Sequence, residues 1–208
     1  MGVSLDNLRG AGAVFVDVDF ADLTKAALAV RAVLGPEGFR VDLAEFLAHE
    51  YPAMSMKDVY AGIASRSVRT REEDARDHPP SGEDVQKARA AMEEVGAQYK
   101  DAFRRYNVVA IAYPPVPFSA PPLPAAGNDV SAFEFGGQQF ALAVIRNAVV
   151  GPVYRAPGLS IPAGLTSDGL PAGFEIDGLP GDDNQLLRLC MAIEAVLGPL
   201  PPPTFRNG

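Results

Sequence analysis

The sequence feature that most constrains the fold is a continuous apolar run at residues 108–113, which directly follows a long amphipathic helix pattern. Uninterrupted apolar runs are typical of strands covered on both faces, as in a parallel or mixed sheet between helix layers. The preceding pattern predicts a helix over residues 82–106 that is capped by Ser81 and has one apolar face. That face consists of Val85, Ala88, Met92, Val95, Tyr99, Phe103 and Tyr106. Together the two patterns predict an α/β fold.

The chain divides near residue 107 into a helix-rich segment and a segment rich in strands and loops. Apolar residues at positions 14, 16, 18 and 20 alternate with other residues, which predicts a half-buried strand. Helices are predicted over residues 23–34, where Gly35-Pro36 ends the pattern, and over residues 41–49. Ser55 is the predicted N-cap of a helix over residues 56–64, and Asp58 is its capping-box partner. The charged segment 66–77 is predicted to be a solvated helix or loop.

The second segment predicts short strands and a final helix. A hairpin is predicted around Gly136-Gly137, and strands are predicted over residues 159–161 and 172–176. The last helix is predicted over residues 183–197, with Asp182 as its N-cap and Gln185 completing a capping box. We therefore expect one domain over residues 1–208, in which residues 1–106 are helix-rich and residues 107–200 supply the strands, the loops and the final helix.

Composition excludes several classes of function. Lys plus Arg is 18 and Asp plus Glu is 26, so the net charge of −8 disfavours binding to nucleic acid or to an anionic membrane surface. The single cysteine, Cys190, excludes an intrachain disulfide, and two histidines, His49 and His78, make a multi-histidine metal site improbable. No apolar run reaches the roughly 20 residues that span a bilayer, and the N-terminus has no signal-peptide pattern. These features predict a soluble, cytoplasmic protein without a metal or cofactor.

An ordered set of glycines and prolines carries the most specific signal. The order is Asn147, then Pro-Gly-Leu-Ser-Ile-Pro-Ala-Gly at 157–164, Gly-Leu-Pro-Ala-Gly-Phe-Glu at 169–175, Gly-Asp-Asp at 181–183, and Glu194. This order resembles the C-terminal portion of amidase-signature enzymes, and the stretch from Tyr99 to Pro117 resembles the helix, strand and proline loop of that family. The resemblance covers residues 81–200 well and 1–80 loosely. Tyr-Pro-Pro at 113–115 and Glu175 depart from the family pattern.

The resemblance implies the C-terminal portion of the amidase-signature fold, with a mixed sheet between helix layers. It also implies hydrolysis of carboxamides by a nucleophilic serine, a bridging serine and a lysine base, which the family carries on an N-terminal Gly-Gly-Ser-Ser-Gly-Gly-type segment. This chain has no such segment, and its lysines lie in charged helix patterns that predict exposed positions. We therefore expect no catalytic residue here and no amide hydrolysis by the chain alone. The expected partner is an N-terminal amidase half, separate or missing, or a second copy through self-association.

Three side chains are candidates for contacting a small amide substrate. Arg146 is a candidate for a substrate carboxylate or carbonyl, with a surface ion pair as its alternative role. Asn147 is a candidate for orienting an amide, with turn bonding as its alternative role. Asp182 aligns with the position at which some family members hold an ammonium group, although N-capping explains it without a ligand.

Other interpretations of the chain have weaker support. A triad of Ser160 with His49 or His78 lacks the Gly-x-Ser-x-Gly turn, and Cys190 is expected to be a small buried apolar residue. The alternative function is a non-catalytic pseudoenzyme or interaction module that keeps an amidase scaffold.

Overall fold

The computed structural model describes residues 2–121, 134–135 and 138–202. Eight helices and five strands lie in these described ranges. The helices are α1 (Gly2–Gly10), α2 (Ala21–Glu50), α3 (Met56–Gly62), α4 (Arg66–Asp77), α5 (Gly82–Tyr106), α6 (Phe140–Ile145), α7 (Val150–Tyr154) and α8 (Asp183–Leu197). The strands are β1 (Ile111–Tyr113), β2 (Glu134–Phe135), β3 (Gln138–Gln139), β4 (Gly158–Leu165) and β5 (Pro171–Asp177). The predicted α/β class is confirmed.

Helix α5 matches its prediction at both ends. The Ser81 hydroxyl accepts a hydrogen bond from the Asp84 backbone N–H, which satisfies one of the free donors at the helix start. The helix ends at Tyr106, and the left-handed backbone of the next residue, Asn107 (φ 52°), turns the chain toward β1. Val95, Tyr99 and Phe103 on the predicted stripe are buried against α2 and α7. This helix therefore joins the helical layer to the sheet.

The predicted break at Gly35-Pro36 is wrong. Helix α2 continues through Pro36 and includes both segments that were predicted as separate helices. A proline inside a helix removes one backbone hydrogen bond, which leaves the carbonyl of Ala32 without its usual donor. Ala32 is exposed, so water can satisfy that carbonyl, while packing of α2 on α5 and α7 stabilises the continuous helix.

The main sheet of the described residues is antiparallel, with strand order β1-β5-β4. Ala112 pairs with Ile176, and Ser160 pairs with Glu175. The predicted strands over 159–161 and 172–176 are confirmed, and they lie within β4 and β5. The second sheet is the pair β2–β3, and the Gly136-Gly137 turn predicted between them lies outside the described residues.

Two strand predictions differ from the structure. Residues 13–20 are not in a helix or a paired strand, and Val14 is 87% exposed although its alternation predicts burial. The run 108–113 forms only the three-residue strand β1, and Val109 is 63% exposed. Both segments are apolar. Among the described residues, β1 has a neighbouring strand on only one side, and residues 13–20 have a neighbouring strand on neither side. A strand needs partners that are distant in sequence, and local alternation does not show whether they are present.

The apolar residues form two clusters. The first lies between the sheet, α1 and α8, and contains Leu8, Ile161, Phe174, Ile176 and Leu186. The hydroxyl of Ser4 donates a hydrogen bond to the Ala163 carbonyl, which ties α1 to β4. The second cluster joins α2, α5 and α7. The two clusters hold the elements that border the groove described next.

Candidate functional site

A groove of about 1060 Å³ lies between residues 13–18, which pair with no described strand, and residues 106–114, whose strand β1 pairs with β5 on one side only. We call it the central groove. One wall is residues 13–18, and the opposite wall is residues 106–114 with β1. Phe174, Ile176 and Asp177 of β5 also line it, as do Leu189 and Ile193 of α8. The groove is mostly apolar, and its polar lining includes Asp177, Tyr113 and Tyr99.

A buried carboxyl group lines the groove. Asp177 is 3% exposed, and its Oδ2 accepts a hydrogen bond of 2.7 Å from the hydroxyl of Tyr113. Burial raises the pKa of Asp177, the Tyr113 hydrogen bond lowers it and the Glu175 carboxylate raises it, and together they bring it to about 6. No cation forms an ion pair with Asp177 within the described ranges of the chain.

A second phenol faces the same region without a partner. Tyr99 is 1% exposed, and its hydroxyl makes no hydrogen bond to any described residue. Burial raises the pKa of both Tyr99 and Tyr113, and the nearby Asp177 carboxylate adds to each rise, so both phenols stay protonated at neutral pH. Tyr113 therefore donates to Asp177, while the protonated hydroxyl of Tyr99 is available to donate to another group.

Glycines make room for the Asp177 side chain. A Cβ at Gly158 would lie 2.5 Å from Asp177 Oδ1 and 3.0 Å from Glu175 Oε1. A Cβ at Gly151, at the start of α7, would overlap Asp177 Oδ2. Gly158 belongs to the Pro-Gly-Leu-Ser segment that carries the family resemblance, and its role here is to allow close approach of a buried carboxyl group.

Of the three predicted substrate-contacting residues, Arg146 and Asn147 line the central groove and Asp182 does not. Arg146 is exposed and makes no hydrogen bond or ion pair to a described residue. Asn147 Nδ2 donates to the Pro114 carbonyl at 2.9 Å, so it fixes the loop after β1. Asp182 occupies the predicted N-cap position of α8, but its side chain makes no capping hydrogen bond, so the predicted capping box with Gln185 is wrong.

The expectation that the lysines are exposed is confirmed for Lys25, Lys57, Lys87 and Lys100. His49 and His78 are also exposed; His49 contacts Glu50 within α2, and His78, which follows α4, contacts Asp74 of that helix. Cys190 is buried in the first cluster, and burial raises the pKa of its thiol, as expected for an apolar role.

Neither Asp177 nor Tyr113 was predicted as a site residue from the sequence. Asp177 follows the alternating strand Phe174-Glu175-Ile176 and precedes Gly178. The signal that could have identified it as a site residue was a carboxyl group at the end of an apolar strand.

Neither a metal-binding group nor a membrane-spanning helix is present in the portion of the chain that the structure describes. No set of three His, Cys, Asp or Glu residues there is placed to hold a metal ion. None of the helices is both long enough and apolar enough to cross a bilayer.

Comparison with known proteins identifies the family. The Amidase family profile matches residues 2–187. Mandelamide hydrolase of Pseudomonas putida is 32% identical over an alignment of 217 residues, which covers 99% of this chain and 41% of that protein. Indoleacetamide hydrolase of Agrobacterium vitis is 32% identical over 197 residues, which cover 91% of this chain and 41% of that protein. The chain therefore belongs to the amidase family, and it spans about two fifths of the length of these curated relatives.

Solved structures show the same fold. A crystal structure described as an amidase superposes with a TM-score of 0.71 at 24% identity, covering 95% of this chain and 41% of the other. A bacterial aryl acylamidase of the amidase-signature family superposes with a TM-score of 0.60 at 20% identity, covering 94% and 39%. The amidase-signature fold is confirmed, and the likeness extends over residues 1–80, where the sequence patterns resembled the family only loosely.

Proposed function

We propose that this chain is the C-terminal portion of an amidase that hydrolyses carboxamide C–N bonds, with the catalytic residues supplied by an N-terminal half. The observation that supports this proposal is the amidase match over residues 2–187 in a chain whose four lysines are all exposed. A lysine that acts as a base must be held neutral by burial or by neighbouring charge. None of these four has that environment, so the base comes from elsewhere in the complete enzyme.

The proposed reaction follows the family mechanism of serine, bridging serine and lysine. The serine oxygen of the N-terminal half attacks the amide carbonyl, and its proton passes through the bridging serine to the lysine amine. The C–N bond then breaks, the amine leaves with that proton, and water hydrolyses the acyl-enzyme. In this scheme the present chain contributes no acid, base or nucleophile.

The contribution of this chain is to shape one wall of the substrate pocket. The Arg146 guanidinium lies at the groove with no partner among the described residues, which suits a carbonyl or carboxylate oxygen of the substrate. Asn147 holds the loop after β1 through the Pro114 carbonyl and thereby positions Arg146 next to it. A contact of Asp182 with a substrate ammonium stays a prediction, and this residue lies at the start of α8, outside the groove lining.

The relatives suggest the substrate class to test first. Their names give mandelamide and indoleacetamide as the compounds hydrolysed, and both carry an aromatic group and a primary carboxamide. We propose primary carboxamides with an aromatic substituent as substrates of the complete enzyme. The mostly apolar lining of the central groove, with few polar groups, is compatible with such compounds.

The test is reconstitution from two polypeptides. This chain is co-expressed with the portion of mandelamide hydrolase that it does not match, and ammonia release from mandelamide and indoleacetamide is measured. We expect release only when both polypeptides are present, and loss of release when the serines of the partner's Gly-Gly-Ser-Ser-Gly-Gly-type segment are changed to alanine. Arg146→Ala is expected to raise KM more than it lowers kcat, with Arg155→Ala as the control for loss of an exposed arginine. Hydrolysis by this chain alone, or a stable complex without hydrolysis, would contradict the proposal.

A further inference from the structure

A second concavity, which shares no lining residue with the central groove, lies where α2, α3 and α4 meet. Its volume is about 420 Å³. It is lined by Arg40 of α2, by Met56, Lys57 and Tyr60 of α3, and by Arg76 of α4. Three of these five side chains are cations, although the whole chain carries a net charge of −8. We call this concavity the cationic pocket.

The cationic pocket is built around one buried ring. A capping box between Ser55 and Asp58 fixes the first turn of α3, and Tyr60 follows on the next turn. The Phe39 ring of α2 packs edge-on against Tyr60, with ring centres 6.2 Å apart. The Arg76 guanidinium of α4 lies 5.3 Å from the centre of the same ring. Three helices therefore hold the pocket in shape.

Two of the cations are fixed by carboxylates that leave part of each guanidinium unpaired. Glu37 accepts hydrogen bonds from Nε and Nη2 of Arg40 at 2.9–3.3 Å. Asp77 accepts from Nε and Nη2 of Arg76 at 2.8 and 3.0 Å. Nη1 of each arginine is left without a partner among the described residues, and Lys57 forms no ion pair with any of them.

The hydroxyl of Tyr60 is a further donor without a partner. Tyr60 is 8% exposed, and its hydroxyl makes no hydrogen bond to a described residue. Buried phenols usually have a hydrogen-bond partner, because an unsatisfied polar group inside a protein is costly. A ligand with acceptor oxygens in the cationic pocket would supply that partner.

We propose that the cationic pocket binds a small organic phosphate. The unpaired donors come from three helices, and this arrangement suits the three terminal oxygens of a phosphate group better than the two of a carboxylate. The side chain of Met56 and the ring of Tyr60 provide an apolar surface for the rest of the ligand. The volume lies within the range of roughly 300–1,000 Å³ that is typical of small-molecule sites. This site goes beyond the proposed amide hydrolysis and does not depend on it.

A small phosphate fits the charge of the chain better than a nucleic acid does. Glu37 and Asp77 leave an excess of one positive charge among the charged groups that form the pocket. A single phosphate group interacts mainly with charges closer than the screening length, which is about 8–10 Å at physiological salt. A long polyanion would also be repelled by the net charge of −8.

The first test is calorimetric titration of the full chain in phosphate-free buffer with phenyl phosphate, inorganic phosphate and phenylacetate. We expect phenyl phosphate to bind in a saturable manner with a dissociation constant of about 1 mM or lower. Inorganic phosphate is expected to bind more weakly because it has no apolar part to contact Met56 and Tyr60. Phenylacetate, which replaces the phosphate by a carboxylate, is expected to bind at least about tenfold more weakly.

Variants show whether the binding occurs in this pocket. Lys57→Gln and Arg40→Gln are each expected to weaken phenyl phosphate binding about tenfold, and Tyr60→Phe, which keeps the ring, about fivefold. The matched controls, Lys100→Gln and Arg31→Gln, remove exposed cations outside the pocket and are expected to stay within about twofold of wild type. Lys57 has no ion pair to lose, so the thermal unfolding midpoint of Lys57→Gln is expected to match that of wild type.

Hydrogen exchange provides a second readout. A phosphate that bridges α2, α3 and α4 is expected to slow amide exchange in α3 and α4 and to leave β4 and β5 unchanged.

Five results would overturn the proposal. They are absence of saturable binding, equal affinity for phenylacetate, equal affinity for inorganic phosphate, equal losses in the pocket variants and their controls, and tighter binding of a short DNA duplex than of phenyl phosphate.

Discussion

Replacing Asp177 by asparagine is expected to change how stability depends on pH. Burial raises the pKa of Asp177 from its usual 3.8 to about 6 in the folded chain. Between these values the folded chain holds a proton that the unfolded chain releases, so the free energy of unfolding falls as pH rises from about 4 to 6 and then levels off. A difference of a little over two pH units at about 1.4 kcal/mol per unit gives a loss of about 3 kcal/mol at pH 7. Asp177→Asn cannot ionise and is expected to remove this loss.

The assay is urea unfolding of wild type and Asp177→Asn at pH 4, 5, 6 and 7. The two proteins are expected to differ least at pH 4, and the variant is expected to gain about 3 kcal/mol relative to wild type by pH 7. The asparagine oxygen still accepts from Tyr113, 2.7 Å away in the wild-type chain, so the comparison isolates ionisation. Asp168→Asn, on an exposed turn, is the control for removing a carboxylate. Parallel curves for wild type and Asp177→Asn would refute the argument.

Three further substitutions test the packing and capping of the helices by urea unfolding. Pro36→Ala is expected to stabilise the chain by up to about 3 kcal/mol, since it restores a backbone hydrogen bond inside α2; an unchanged midpoint would contradict that reason. Gly96→Ala is expected to cost about 1–3 kcal/mol because its Cβ would overlap the Tyr154 ring, while Gly82→Ala, which has open space, should show no such loss. Ser81→Ala is expected to cost about 1 kcal/mol through loss of the cap on α5, and a cost near zero would show that water replaces it.

Elements are predicted correctly from the sequence where the interactions that fix their bounds are between residues close in sequence. The bounds of α5 and α8 follow from side chains close in sequence, such as the Ser81 cap and the regularly spaced stripe, and both helices match their predictions. Pro36 was misjudged because its local cost is smaller than the gain from packing α2 on two other helices. The side chain of Asp182 sits at the predicted cap position but makes no bond, which residue type alone does not reveal.

The candidate site was only partly predictable for the same reason. Arg146 and Asn147 were found through the family pattern, and both line the groove. Asp177 and Tyr113 are 64 residues apart in sequence and meet only because β1 pairs with β5 in antiparallel register. The groove lies between two predicted strands that share no neighbouring strand. The sequence pattern of either strand alone therefore does not predict it.

Helix α2 is so long that its two halves pack against different parts of the protein. Its 30 residues extend about 45 Å, and Leu23 and Ala27 near its start lie in the second cluster. Helices α3 and α4 make their main contacts with α2 and with each other. In one of these contacts the Phe39 ring, in the second half of α2, packs against the Tyr60 ring of α3. Fraying at Pro36 would therefore release α3, α4 and the second half of α2 as one cooperative unit while the sheet stays folded. The central groove lies entirely in the part of the chain that would stay folded, because no residue of the second half of α2, α3 or α4 lines it.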